Sequence, residues 1–444
     1  MGSTMDNAPD PQAAFRDILA RVVGQGAVSP ELAQAGLAQV RAGGVAEIPA
    51  VAFLTGLRLR GMLHADPVEL EGVLTGRAAD PSARSATFRA TLDVVLEGRE
   101  LPREMADAAF GLIMDGAVSE GMLAAFLTAL HMRGEGVGEL EAAVKAMRAR
   151  MLAVPDMPAA ALDVCGTGGD GLGTLNVSTA VAFVLAALGV PVVKHGNRAL
   201  SSRSGATDVL LELGVPMPVA AEPIGQMVAS HNVTFLAATS HHPAMRHVGA
   251  VRRALGFRTI FNLVGPLSNP AGVRRQLVGV FAPQWLDVMA RTLRALGSER
   301  VWAVSGECGQ GRFIDELTLA GPTQACVLED GQIHALTIVP EKTGLQPAPI
   351  AAIAGGAPAH NAAALRALAA GGRGAYRDTV LLNAAVALHV AGRGDNIMHG
   401  GVIDYAALHE NIRQAAGVLD NGAVAAVLEA VRQFRADGPN RVTG

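Results

Sequence analysis

"CGTGGDGLGTLNVSTA", running from Cys165 to Ala180, places Gly166, Gly168 and Gly171 at the G-x-G-x-x-G spacing of a dinucleotide-binding turn, between two apolar runs. A chain with 52 glycines produces that spacing by chance, so the neighbouring residues have to decide. A dinucleotide fold needs an acidic residue about 20 positions further on, at the end of the next strand, to hold the ribose hydroxyls. Here the next strand, "VPVVKHGNR" from Val190, ends in Lys194, His195 and Arg198. Positive groups stand where the acid should be. The segment from Asp170 onward also delays the helix until near Ser178, later than the fingerprint allows. The dinucleotide reading fails on both counts.

Phosphate suits the segment better. Glycines let backbone N–H groups approach anionic oxygens, and a helix N-terminus adds partial positive charge. Asn176, Ser178 and Thr179 add side-chain donors at that helix start, although a Ser or Thr there is also an ordinary N-cap. A cap does not explain the second loop, "KHGNRALSSRSGATD", which offers Lys194, Asn197, Arg198, Ser201, Ser202, Arg203 and Ser204. Loops following successive parallel strands meet at one sheet edge, where α/β proteins bind ligands. A ligand with two separate phosphate groups is expected.

The rest of the chain bounds this reading. At 444 residues, half of them apolar and 17% charged, two or three domains with a large buried core are expected. A formal net charge of −4 gives no basic footprint for nucleic acid. The longest apolar run, Ala180 to Val193, is too short to span a membrane and contains Gly189 and Pro191. No charged, then apolar, then small-residue leader opens the chain, so a cytoplasmic location is the default expectation. Cys165, Cys308 and Cys326 are widely spaced and read as buried thiols rather than a disulfide framework or a zinc site.

The chain also repeats itself. "AFLTGLRLRG" from Ala52 recurs as "AFLTALHMRG" from Ala125, an offset of 73 residues (125 less 52). The same offset pairs Phe15-Arg16 with Phe88-Arg89, Glu31 with Glu104 and Gly43 with Gly116, without gaps. Helical spacing within each copy predicts two small helical units, 1–84 and 85–155, serving as scaffold or dimerisation surface. From 156 to 444, short β-rich runs such as "ALDVC" and "VTFLAA" alternate with longer helical patterns. The expected fold class is α/β: a large domain with a central mixed β-sheet flanked by helices, plus the duplicated all-helical N-terminal domain.

With these residues in view, "GTGGDGLGTLNVSTA", "KHGNRALSSRSG", "HHPAMRHVGAVRRALGFRTIFNLVGPLSNPA" and the pair Asp315-Glu316 resemble anthranilate phosphoribosyltransferase, from about Phe88 to the C-terminus. The resemblance implies transfer of the phosphoribosyl group of phosphoribosyl pyrophosphate (PRPP) to anthranilate, with Mg²⁺, in a cytoplasmic homodimer formed through the helical region. It assigns PRPP to Gly166, Gly169, Asp170, Thr174, Asn176, Val177, Ser178, Thr179, Lys194, His195, Gly196, Asn197, Arg198, Ser201, Ser202 and Ala206. It assigns the acceptor to Gly166, Asn197, His242 and Arg252, and the metal to Ser178, Asp315 and Glu316. Adjacent carboxylates on a regular strand point to opposite faces, so Asp315 and Glu316 can serve one metal cluster only from a loop or bulge. This chain departs from the pattern at Ala237, Thr239, Ser305 and Phe313, which leaves a different aromatic acceptor open. A pyrimidine nucleoside phosphorylase and a non-catalytic binding relative are the other readings.

Overall fold

A computed structural model describes residues 11–64, 83–198 and 203–435. The chain forms two compact units, one of residues 1–150 with 244–264 and one of 151–243 with 265–444. A boundary at 155/156 leaves residues 244–264 with the α/β part, whereas they pack with the N-terminal helices.

The helical unit contains α1 (Pro11–Val23), α2 (Pro30–Arg41), α3 (Glu47–Leu59), α4 (Ala83–Leu96), α5 (Arg103–Met114), α6 (Glu120–Arg133) and α7 (Val137–Arg148). The segment 244–264 adds a helix, α11 (Arg246–Leu255), which packs on α3, α5 and α6. Ser29 starts α2 and Ser119 starts α6, each accepting a hydrogen bond from the N–H three residues on. Gly43 and Gly116, with φ of +71° and +68°, turn the chain where a β-carbon would be strained.

The α/β unit is built on β1 (Leu162–Gly166), β2 (Val192–Gly196), β3 (Val233–Ala237), β4 (Arg275–Gly279), β5 (Arg300–Glu307), β6 (Phe313–Ile314), β7 (Thr323–Glu329) and β8 (Gln332–Ile338). Sheet order is β3-β2-β1-β4-β5-β7-β8, with β6 paired to β5. The strands from β3 to β5 run parallel and the remainder antiparallel, which makes the mixed sheet expected from the alternating runs. Helices α8 (Val177–Ala187), α9 (Ala206–Leu213), α10 (Ala221–His231), α12 (Leu286–Ala295), α13 (Pro358–Ala369), α14 (Ala375–Val390), α15 (Tyr405–Asp420) and α16 (Ala423–Gln433) complete the unit. Helix α8 is apolar around its circumference and buried from Thr179 to Ala186, as such a sequence requires. The three cysteines are free and buried, and no described helix is long and apolar enough to cross a membrane.

The parallel order places a topological switch between β1 and β4. β1 is followed in sequence by β2 on one side, and β4 leads to β5 on the other. Crevices at such points, outside the carboxyl ends of the strands, are where open α/β sheets bind ligands.

Away from that edge, Glu329 organises a buried polar node. Its Oε1 accepts from Trp302 Nε1 at 3.0 Å and lies 2.5 Å from His389 Nε2, with Arg300 at 3.6 Å. Burial alone would raise this carboxyl, but the bonds from His389 and Trp302 outweigh it and hold it below its usual value. Glu329→Ala strands the buried Trp302 and His389 donors and should lower the unfolding free energy by about 3 kcal/mol in urea titration. A change within experimental error would show the node to be dispensable.

Candidate active site

The site grows from the ends of β1 and β4. Gly166 and Gly279 are register partners across these strands. A β-carbon on Gly166 would stand 2.2 Å from Asp315 Oδ2, and one on Gly279 would stand 1.5 Å from the Asp315 carbonyl oxygen. Gly306, near the end of β5, would likewise strike the Glu316 carbonyl oxygen at 2.6 Å. Three strand ends therefore lack side chains where the Asp315-Glu316 segment crosses them. That segment follows β6 as a bend, outside regular strand, so the alternation that would send the two carboxylates to opposite faces does not apply.

The loop from Thr167 to Asn176 is fastened at both ends. The Thr167 N–H donates to Gly279 O, and its hydroxyl accepts from the Phe281 N–H, each at 3.0 Å. Gly355 N–H donates to Gly173 O at 2.8 Å, Leu175 N–H donates to Ile353 O, and Thr174 bridges to Ala354. Between these anchors Gly168, Gly169, Gly171 and Gly173 all have φ between +62° and +75°. This conformation turns backbone groups toward one concavity and suits glycine.

Helix α8 starts at Val177, and its N-cap is Asn176 rather than Ser178 or Thr179. Asn176 Oδ1 accepts from Asn361 Nδ2 at 2.8 Å, and its carbonyl accepts from the Tyr376 hydroxyl at 3.0 Å. The first turn is thereby left to other acceptors. Ser178 N–H donates to Glu316 Oε1 at 3.0 Å, while Gly168 N–H donates to Asp315 Oδ2 at 2.6 Å. One carboxylate thus meets the glycine loop and the other the helix start.

Burial, reinforced by Asp170, pushes Asp315 above the ordinary carboxylate range; burial, reinforced by Asp315, does the same to Glu316. Crowded acidic oxygens that resist ionisation without a counterion form a donor set that a hard divalent cation would satisfy. Among the described residues no group of three or more His, Cys, Asp or Glu forms a metal cage. Mg²⁺ is usually held by one or two carboxylates together with substrate phosphates and water, and Asp315 and Glu316 would supply the carboxylates.

The second loop leaves β2 beside the first. Gly196 pairs with Ala237 and ends the strand. Asn197 Oδ1 accepts from Arg198 N–H at 2.8 Å, and Asn197 O accepts from Thr207 N–H, tying the loop to the start of α9 at Ala206. Ser201 and Ser202 lie outside the described residues. Lys194 points inward, not along the loop: its Nζ donates to Val164 O at 2.5 Å, and it is 3% exposed. Its charge acts on Asp163 and Glu316 from within the fold.

Behind β1 and β2 sits a polar group that the motifs did not point to. Asp163 is fully buried; Oδ1 accepts from the His195 N–H at 3.1 Å and Oδ2 from Asn269 Nδ2 at 2.8 Å. Burial raises its pKa, while Lys194, Asn269 and the His195 N–H oppose the rise. A lone acid inside the apolar run "ALDVC" was its one sequence signal. His195 Nε2 lies 3.1 Å from His242 Nε2, with ring planes at 72°. Burial depresses both imidazoles, His195 well below its usual value and His242 to about 4. Both are neutral at pH 7. Arg252 belongs to the helical unit, half-buried on α11, with burial lowering its pKa, whereas Arg253 is exposed.

A histidine depressed in the folded state contributes stability above the unfolded value of 6.5 and loses it as pH falls toward the folded value. For His242, with limits of 6.5 and about 4, the loss at pH 5 amounts to roughly 2 kcal/mol. Asp315 and Glu316 act with the opposite sign, since they take up protons in the folded chain first. The His242 contribution is therefore read by difference: His242→Gln should lose less stability than the parent between pH 7 and pH 5, by urea titration. Parallel curves would mean that His242 titrates normally.

Comparison with known proteins identifies the family. Residues 158–425 match the family model described as glycosyl transferase family, a/b domain, and residues 90–151 its helical bundle domain. An anthranilate phosphoribosyltransferase from Gluconobacter oxydans is 58% identical over 348 residues, 78% of this chain and 95% of that protein. One from Methylocella silvestris is 51% identical over 74% of this chain and 90% of its own length. The crystal structure of the Thermus thermophilus enzyme superposes with a TM-score of 0.68 at 39% identity, covering 77% of this chain and 98% of that one. The Saccharomyces cerevisiae enzyme in complex with PRPP and Mg gives 0.66 at 26% identity, covering 78% and 96%. The chain belongs to the anthranilate phosphoribosyltransferase family.

Proposed function

We propose that the protein transfers the phosphoribosyl group of PRPP to the amine of anthranilate, releasing pyrophosphate, as a step of tryptophan biosynthesis. The observation that carries this reading is the seating of Asp315 on the glycine ends of β1 and β4 and of Glu316 on Gly306 of β5, bonded to Gly168 and Ser178. It joins a phosphate loop to a carboxylate pair at the switch point of the sheet. Identity of 58% with the Gluconobacter enzyme supports the acceptor.

In this reading Gly166, Gly169, Asp170, Thr174, Asn176, Val177, Ser178 and Thr179 hold the pyrophosphate end of PRPP. His195, Gly196, Asn197, Arg198, Ser201, Ser202 and Ala206 hold the remainder, with Lys194 supporting from beneath. Asp315, Glu316 and Ser178 would hold Mg²⁺, which when bound offsets the charge that develops on the departing pyrophosphate. The anthranilate nitrogen forms a bond to C1 of the ribose, the bond from C1 to the pyrophosphate oxygen breaks, and the nitrogen gives up one proton. Backbone N–H groups of the loop and the first turn of α8 stabilise the leaving charge, and rigid anchoring of the loop keeps them aligned. The resemblance assigns the acceptor to Gly166, Asn197, His242 and Arg252, and the planar guanidinium of Arg252 suits a carboxylate. The neutral amine needs no activated side chain to attack.

The test is pyrophosphate release from PRPP with a panel of aromatic amines, with and without Mg²⁺. Release with anthranilate that disappears on chelation is expected. Turnover only with another amine would reassign the acceptor, and phosphorolysis of uridine without metal would overturn the reading. Arg252→Ala should raise the KM for anthranilate at least tenfold, on the scale of one lost charged hydrogen-bond pair, with little change for PRPP. Equal changes in both would move the carboxylate grip elsewhere.

A further inference from the structure

We infer that residues 11–64 are a built-in substitute for a second copy of the helical domain, covering the face of α6 that would otherwise pair with another chain. Under the offset of 73, α1, α2 and α3 correspond to α4, α5 and α6. The correspondence extends to packing. Phe15 and Phe53 stack with centroids 5.3 Å apart at 62°, and their counterparts Phe88 and Phe126 at 5.2 Å and 60°. Thr55 donates to Val51 O at 2.8 Å, and Thr128 donates to Ala124 O at 2.7 Å. Arg60 reaches back to the carbonyls of Val22 and Gly24 at the end of the first helix of its set, and Arg133 reaches that of Arg99 just after the first helix of its own.

The two sets meet through equivalent helices, α3 packing along α6, and α11 rests on both. When two copies join about a two-fold axis, like surface meets like, and each contact recurs in reverse. A seam between α3 and its counterpart has that character within one chain. Both helices are buried around their circumference, Pro49 to Leu57 on α3 and Gly121 to Leu130 on α6. Gly56 faces both neighbours of α3: a β-carbon there would stand 2.6 Å from Val22 Cγ1 of α1, too close, and 3.5 Å from Met132 Sδ of α6, ordinary contact. The helical-bundle family model begins only at residue 90, and 348 residues of this chain account for 95% of the Gluconobacter relative. The first set is the addition, and the remainder is the length of a complete family member.

The homodimer implied by the resemblance is thereby replaced by an internal pseudo-dimer. The full chain should sediment at the mass of one chain at micromolar concentration. A chain lacking residues 1–82, which leaves the α6 face open, should sediment at twice its own mass. Full-length Gly56→Glu, which forces a carboxylate among α1, α3 and α6 and so loosens the first set from α6, should move from one-chain toward two-chain mass as concentration rises. A two-chain mass for the full-length protein overturns the inference. So does a one-chain mass for a truncated chain that retains its helical circular dichroism. If the truncated chain does not fold, the full-length parent and Gly56→Glu decide: an unchanged one-chain mass for the variant counts against the seam.

Discussion

The contact between Asp315 and the ends of β1 and β4 is the constraint from which the rest of the site follows. Gly166 and Gly279 face each other across the two strands, and the space where their β-carbons would lie is taken by the Asp315 carboxylate and carbonyl. Because that segment is drawn down onto the sheet, Asp315 reaches the Gly168 N–H and Glu316 reaches the first turn of α8. Two carboxyl groups are thus fixed beside a loop and a helix start that both favour anions. Burial and repulsion from a neighbouring acid raise both carboxyls, and a divalent cation shared with phosphates would satisfy them.

Much of the arrangement was legible in the sequence because it rests on local chemistry. Glycines at Gly166 to Gly173 and the acid-free end of "VPVVKHGNR" excluded a nicotinamide site and pointed to phosphate without any coordinates. The alternating runs foretold an α/β domain, since period and length are properties of each segment alone. What could not be read is contact between distant segments. Gly279 and Gly306 are unremarkable in sequence and matter only because residues 315–316 cross them. Asn361, Tyr376 and Asn269 likewise act through bonds to Asn176 and Asp163, more than a hundred positions away. Lys194 looked like a loop cation but turns inward, because burial beside Asp163 and Glu316 offsets the cost of its charge. Ser178 looked like a cap, yet Asn176 holds that place and leaves the Ser178 N–H for Glu316.

The repeated helices extend the same lesson to the scaffold. Similar sequence 73 residues apart produced similar ring stacking and similar threonine bonds, because each short set of helices encodes its own packing. How two such sets dispose of their apolar faces is a separate question, answered by whichever surface is close at hand. A tethered copy would meet that need at high effective concentration without a second chain.

The central claim concerns two absent β-carbons, and Gly279→Ala tests it with the least chemical change. Gly279 has no positive φ, so alanine is conformationally allowed, and every donor and carboxylate remains. The measurement is PRPP affinity by titration calorimetry with and without Mg²⁺. The added methyl should displace Asp315 and weaken Mg²⁺-dependent binding at least tenfold, about 1.4 kcal/mol, with circular dichroism unchanged. Wild-type affinity and wild-type Mg²⁺ dependence in that variant would contradict the account.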